Sequence, residues 1–112
     1  MSLQNSLKDF AKILREGVPD VGIYHYRRTN RKEAPYIVWS EDGEGETDLN
    51  TDNRKNEQHI HGYLDYFTLE EYDDRVDQIQ EVFYEHARGW SLNDVQYEED
   101  TNLIHYAWEF NL

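Results

Sequence analysis

Apolar residues recur along this chain with two different periods, and the switches between them divide it into seven elements. Leu3, Leu7, Phe10, Ala11 and Leu14 follow the three-to-four-residue spacing of a helix face, with Gly17 and Pro19 as stop signals beyond. That pattern predicts a first helix over 3–16. The β-formers of "VGIYHY" (21–26) predict a short strand, and "APYIVWSE" (34–41) predicts a second, with Pro35 tolerated at its first positions. In "EQHIHGYLDYFT" (57–68) the residues alternate as a third strand that pairs antiparallel with the second. Ile60, Leu64 and Tyr66 share one face, and His59, His61, Tyr63, Asp65 and Phe67 the other.

Thr68 is then read as opening a capping box, its hydroxyl accepting from the backbone three residues on while Glu71 reaches back. Tyr72, Val76, Ile79, Phe83 and His86/Ala87 supply the stripe of a second helix over 69–87, stopped by Gly89. Two further strands, near 90–99 and 101–111, close the chain. Ile104, Tyr106, Trp108, Phe110 and Leu112 alternate onto one face of the last. The order α-β-β-β-α-β-β predicts a single α+β domain spanning 1–112, an antiparallel sheet packed against two helices. Between the second and third strands, residues 42–56 lack either period and are rich in Gly, Asp, Asn and Thr. Structureless stretches of ~15 residues are uncommon in compact domains and are usually functional or disordered, so this loop is expected to be loosely held.

A chain of 112 residues is long enough to bury roughly two-thirds of the surface its unfolded form exposes. No apolar run approaches the ~20 residues of a membrane span, and no charged start followed by an apolar stretch is read as a secretory leader. Cysteine is absent, which removes disulfides, thiolate metal sites and a thiol nucleophile. Sixteen aromatic residues, nine of them tyrosine, can fill a core or serve half-wet interfaces.

Charge changes the picture most. The formal net charge is −13 and it is uneven: residues 65–112 hold thirteen acids against Arg75 and Arg88, whereas residues 1–64 hold eleven acids against nine bases. Such a surface repels nucleic acid, because duplex binding needs cations that displace counterions. The basic exception is the run containing Arg27, Arg28, Arg31 and Lys32. Its acidic counterpart is an i,i+4 ladder of Asp73, Asp77, Glu81 and Glu85, flanked by Glu70 and Asp74. Like charges at that spacing destabilise an isolated helix by ~0.2–0.5 kcal/mol per pair. The ladder is either a solvated face or a surface that meets something basic, the run 27–32 of a neighbouring copy being one candidate. Opposite charges on different patches of one chain favour head-to-tail association, which makes a ring when the rotation closes.

Candidate chemistry is sparse. His59 and His61 point to one side of a strand, as two metal ligands need to, but Asp65 lies roughly 13 Å further along an extended strand. No HExxH, Gly-rich phosphate loop or Gly-x-Ser-x-Gly occurs. No enzymatic activity, cofactor or stoichiometric metal is therefore expected.

With its elements laid out, the chain resembles the tail terminator (tail completion, head–tail joining) proteins of tailed bacteriophages and prophages. The likeness runs over nearly the whole length. It rests on the N-terminal helix, the "PYIVW" strand, the long polar loop, "HIHGYLDYFT" leading into "YDDRVDQIQEVF", and the closing "WSLNDVQYEEDTNLIHYAWEFN". The resemblance implies a non-enzymatic subunit of a homo-oligomeric ring, commonly a hexamer, that caps the tail tube and meets head-connector proteins. It places the protein in the virion tail, and in the host cytoplasm during assembly, with neither specific nucleic-acid binding nor membrane attachment. Small head–tail connector and minor capsid proteins are similar to this chain in length and composition. An alternative from a different class is a small acidic protein-binding module, a DNA mimic or inhibitor, that presents its carboxylates to a basic partner.

Overall fold

The computed structural model describes residues 2–26, 33–45 and 58–112. Helices α1 (Leu3–Gly17) and α2 (Asp74–His86) pack on one face of a sheet formed by β1 (Gly22–His25), β2 (Tyr36–Glu44), β3 (Ile60–Thr68), β4 (Gly89–Glu98) and β5 (Leu103–Asn111). The strands lie in the order β1-β2-β3-β5-β4. The α+β class and the order of elements are those the periodicity predicts. The sheet itself is mixed. β1 runs parallel to β2, with Gly22 opposite Tyr36 and His25 opposite Trp39, while the other three neighbouring pairs are antiparallel. Ten residues, 26–35, join β1 to β2, and a connection of that length does not impose the reversal that a two-residue hairpin would. The polar stretch is shortened from its N-terminal side, because β2 runs on to Glu44; the rest of it, from residue 46, lies outside the described residues.

Helix α1 starts where Ser2 Oγ accepts from the Asn5 N–H at 3.2 Å, and it buries Leu7, Phe10 and Leu14. These residues meet the stripe of α2 formed by Ile79, Val82 and Phe83. Beneath both helices the sheet presents Ile37, Trp39, Ile60, Leu64, Tyr66, Trp108 and Phe110, which the strand registers place on one face. Phe10 sets its ring edge-on to Trp39, with centroids 5.1 Å apart, and stacks on Phe110 at 5.0 Å; Phe83 stacks on Phe110 at 5.3 Å. Offset and edge-to-face contacts of this kind add to the stabilisation from burial. Gly62 makes the approach possible. A Cβ there would stand 2.6 Å from the Ser40 carbonyl oxygen and 2.8 Å from Phe110 Cζ.

The junction between β3 and α2 departs from the expected capping box. Thr68 is still held in the sheet opposite Ile104, so its backbone cannot begin a helix. A turn at Glu71 and Tyr72 follows, with Tyr72 at φ +58°, and the helix starts only at Asp74. Asp73 is the cap: its Oδ1 accepts from the Arg75 N–H at 2.9 Å. Its Oδ2 accepts from Tyr66 Oη at 2.5 Å and from Thr68 Oγ1 at 2.7 Å, with Arg75 Nη1 at 3.4 Å. A carboxylate is the stronger acceptor, and from this position it also satisfies two buried hydroxyls.

Asp73 is 6% exposed. Burial alone pushes its carboxyl pKa up, but the bonds from Tyr66, Thr68 and the Arg75 N–H, together with the Arg75 charge, outweigh that and hold it below the ordinary 3.8. Its contribution to stability is therefore present above pH ~4 and is lost as pH falls through the lower folded value. We predict that Asp73→Ala destabilises the fold by roughly 2–4 kcal/mol at neutral pH, the sum of a lost cap and orphaned hydroxyls. Chemical denaturation between pH 7 and pH 2 measures both effects, and Asp73→Asn should flatten the acid limb of the parent profile.

Candidate functional site

No described helix lies over the second face of the sheet, and that face carries its own order. The register sets Tyr36 opposite Phe67 and Phe67 opposite His105. The rings stack in that sequence, Tyr36 on Phe67 at 4.6 Å and Phe67 on His105 at 4.2 Å, and Tyr24 meets Tyr36 edge-on. Because these rings spend their faces on one another, the row offers edges rather than a flat platform for a nucleobase. It also buries Phe67, which is 4% exposed.

The histidines are absorbed into carboxylate pairs between strands. His105 Nε2 lies 2.7 Å from Asp65 Oδ1. On the helix side of the sheet, His25 Nε2 lies 2.7 Å from Glu41 Oε1 and its ring stacks on Trp39 at 3.9 Å; the Tyr26 hydroxyl donates to the same carboxylate. His61 is flanked on both sides, with Nδ1 2.6 Å from Asp42 Oδ1 and Nε2 3.3 Å from Glu109 Oε2. A bulge creates this arrangement. Glu41 pairs with Gly62 and Gly43 with His61, so Asp42 is the extra residue and is turned toward the ring.

These positions change what the His-x-His pair can do. His59 precedes β3, where its carbonyl accepts from the Gly45 N–H, and Asp65 is engaged by His105. The two carboxylates at His61 lie on opposite sides of the imidazole and cannot converge on one ion. Among the described residues, no group of three or more His, Asp or Glu side chains is arranged to hold a metal. Two open hollows of about 200 Å³ are also present, one lined by Arg15, Val18, Pro19, Val21 and Ile23, the other by Ser6, Asp9, Phe10, Ile13, His86 and Leu112. Arg15 is the charged group lining the first, and Ser6, Asp9 and His86 are the polar groups lining the second.

Of the acidic ladder expected on α2, Asp77, Glu81 and Glu85 are exposed, with Asp74 beside them. Asp73 does not belong to that face. As the N-cap it has extended backbone (φ −72°, ψ 117°) and points inward, so the ladder is one carboxylate shorter than the spacing implies. Glu70 lies before the helix and pairs with Arg75 Nη2 at 3.4 Å. Arg27, Arg28, Arg31 and Lys32 lie outside the described residues. No helix among the described residues is long and apolar enough to cross a membrane. No protein-family model and no curated protein matches the chain.

Electrostatics single out His61. A neutral imidazole has one donor nitrogen and one acceptor, whereas two carboxylates only accept, so the ring satisfies both neighbours only as the cation. Hydrogen bonding to Asp42 raises its pKa most; burial opposes this, and the bond to Glu109 and both carboxylate charges add to the rise above 6.5. The stabilisation is thus complete below the ordinary imidazole value and is lost as pH climbs through the higher folded one. We predict an NMR titration midpoint for His61 above 6.5, falling toward that value in Asp42→Asn. An unmoved midpoint in the variant would show that the bulge does not set the charge on this ring.

Proposed function

We propose that this chain is a non-enzymatic virion-assembly subunit of a tailed phage or prophage. In this reading it works as a tail terminator does, in a ring that caps the tail tube and joins it to the head. The observation that carries the reading is the exposed run Asp77, Glu81 and Glu85 on α2. These acids have no lysine or arginine among their i,i+4 neighbours, and the arrangement costs about 0.2–0.5 kcal/mol per like-charged pair. A surface that keeps such a cost gains from a basic partner. The sequence supplies one in Arg27, Arg28, Arg31 and Lys32. Two unlike patches on one chain associate head to tail, the geometry that closes rings. An acidic lumen would let DNA pass without holding it, since it offers phosphates no counterion-release gain. Tail-tube and head-connector proteins are then the remaining partners.

The same acid face also suits a monomeric mimic that occupies a basic partner, and oligomeric state separates the two readings. If copies meet through the unlike patches, assembly weakens as salt rises, because exposed charges are screened beyond roughly 8 Å at physiological ionic strength. Each pair is worth only ~0.2–1 kcal/mol, but every interface in a ring repeats it. We predict that Arg27→Glu with Arg28→Glu abolishes joining of tails to heads while the subunit stays folded. Adding Asp77→Lys and Glu81→Lys to the same chain should restore part of the activity. Electron microscopy of tails supplied with each variant reads the outcome. Joining that is indifferent to both changes would remove the electrostatic contact.

A further inference from the structure

Strand β4 has only β5 as a neighbour among the described strands, which leaves one edge of a ten-residue strand without a described partner. Proteins blunt such edges with charged side chains, proline, short strands or bulges. "GWSLNDVQYE" has neither lysine nor proline and is not short, and its bulge falls at mid-strand, between Leu92 and Asp94. It also carries an apolar row: Trp90 is 36% exposed, Leu92 41%, Val95 49% and Tyr97 61%. Without a bulge, Leu92 and Val95 would face opposite sides of the sheet. The register shift between Leu92 and Asp94 reverses the alternation, so all four residues lie on the helix side, opposite Phe110, Trp108, Tyr106 and Ile104 respectively.

We infer that β4 is a docking edge for a second copy of this chain, pairing antiparallel with its own counterpart about a two-fold axis near Asn93 and Asp94. The sequence of the strand is complementary to itself in that register. Trp90 faces Tyr97 of the copy, and Leu92 faces Val95, so the apolar row is continued across the join. Ser91 faces Gln96, and Asn93 faces Asp94, an amide against a carboxylate. Beyond the strand end, Arg88 faces Glu99, which are unlike charges. No other antiparallel register of β4 on itself aligns the four apolar residues pairwise, because their positions are symmetric only about this centre. The bulge on each copy places its extra residue at the axis, so the two irregularities meet rather than interrupt the ladder. Main-chain hydrogen bonds supply affinity in such strand addition, and alternate side chains set specificity.

The pairing does not depend on the proposed ring. A two-fold contact uses the same patch twice and closes as a dimer, whereas a ring contact joins two different patches. β4 belongs to neither the acidic face of α2 nor the run 27–32, so the two contacts use different residues.

Sedimentation velocity on the full chain over a range of concentrations tests the inference, with circular dichroism on every variant. The parent should form a dimer. Leu92→Lys should raise its dissociation constant by roughly tenfold or more, and Leu92→Lys with Val95→Glu should recover much of the loss, since each lysine then meets a glutamate of the copy. At the solvent-facing rim, Arg88→Glu should weaken the dimer, and Arg88→Glu with Glu99→Arg should restore it; this pair remains informative if the apolar site variants fail to fold. A parent that stays monomeric overturns the inference, as does a dimer that neither swap rescues. A larger discrete oligomer indifferent to all four variants overturns it while leaving the ring standing.

Discussion

The buried carboxylate of Asp73 is the constraint on which the rest of this structure turns. It accepts hydrogen bonds from Tyr66 and Thr68 at the end of β3 and from the first turn of α2, so one side chain fixes both where the strand stops and where the helix begins. The starting point sets the rotational phase of α2. Ile79, Val82 and Phe83 then face the sheet, and Asp77, Glu81 and Glu85 face solvent. Removing the cap without a replacement would take away the acceptor to which both hydroxyls donate, leaving Thr68 Oγ1 only the Glu70 N–H and Tyr66 Oη only Arg75 Nη1 among their hydrogen-bond partners here. The acidic face, whatever it meets, is thus positioned by an acid that is itself hidden.

The two sides of the sheet reach stability by different means. The helix side buries large apolar side chains against one another, with Phe10, Phe83 and Phe110 at its centre. The other side has no described helix layer and holds itself with cross-strand pairs: stacked rings from β2 to β5, and histidines set against carboxylates. Such pairs contribute roughly 0.2–1 kcal/mol each. His61 makes that face responsive to pH, because Asp42 and Glu109 raise the pKa of its ring above 6.5, whereas apolar contacts do not titrate.

Local period made much of this legible. Leu7, Phe10 and Leu14 announce α1, and the alternation through Trp108 and Phe110 announces β5, because burial on one face selects residue types at a fixed spacing. The face assignment in β3 was readable for the same reason. Partners distant in sequence were not. His61 meets Glu109 across 48 residues, and no spacing rule connects them. The parallel pairing of β1 with β2 was hidden because β1 has only four residues and side-chain alternation along a strand does not encode the direction of its neighbour. Asp73 did carry a signal: aspartate directly ahead of a helical stripe is a common N-cap. Thr68, with Glu71 three residues on, offered a competing cap, and only the commitment of Thr68 to the sheet decides between them. The candidate assembly surface was half legible, since exposure of Asp77, Glu81 and Glu85 follows from the stripe opposite, whereas the exposed row on β4 follows from the sheet order.

The surface chemistry places two opposite demands on any association. Residues 65–112 carry thirteen acids against two bases, so two copies brought together through that half repel at low ionic strength. Added salt screens this repulsion and favours an apolar edge-to-edge contact such as the one inferred for β4. The same salt weakens a contact between the acidic helix face and a basic run. Ionic strength therefore moves the two contacts in opposite directions. In a subunit with both surfaces, high salt would favour the symmetric pairing and low salt the head-to-tail contact, with no change in its fold. Because Leu92, Val95 and Tyr97 are exposed on β4 while Asp77, Glu81 and Glu85 are exposed on α2, each of these contacts, where it forms, would respond to the solvent through its own patch.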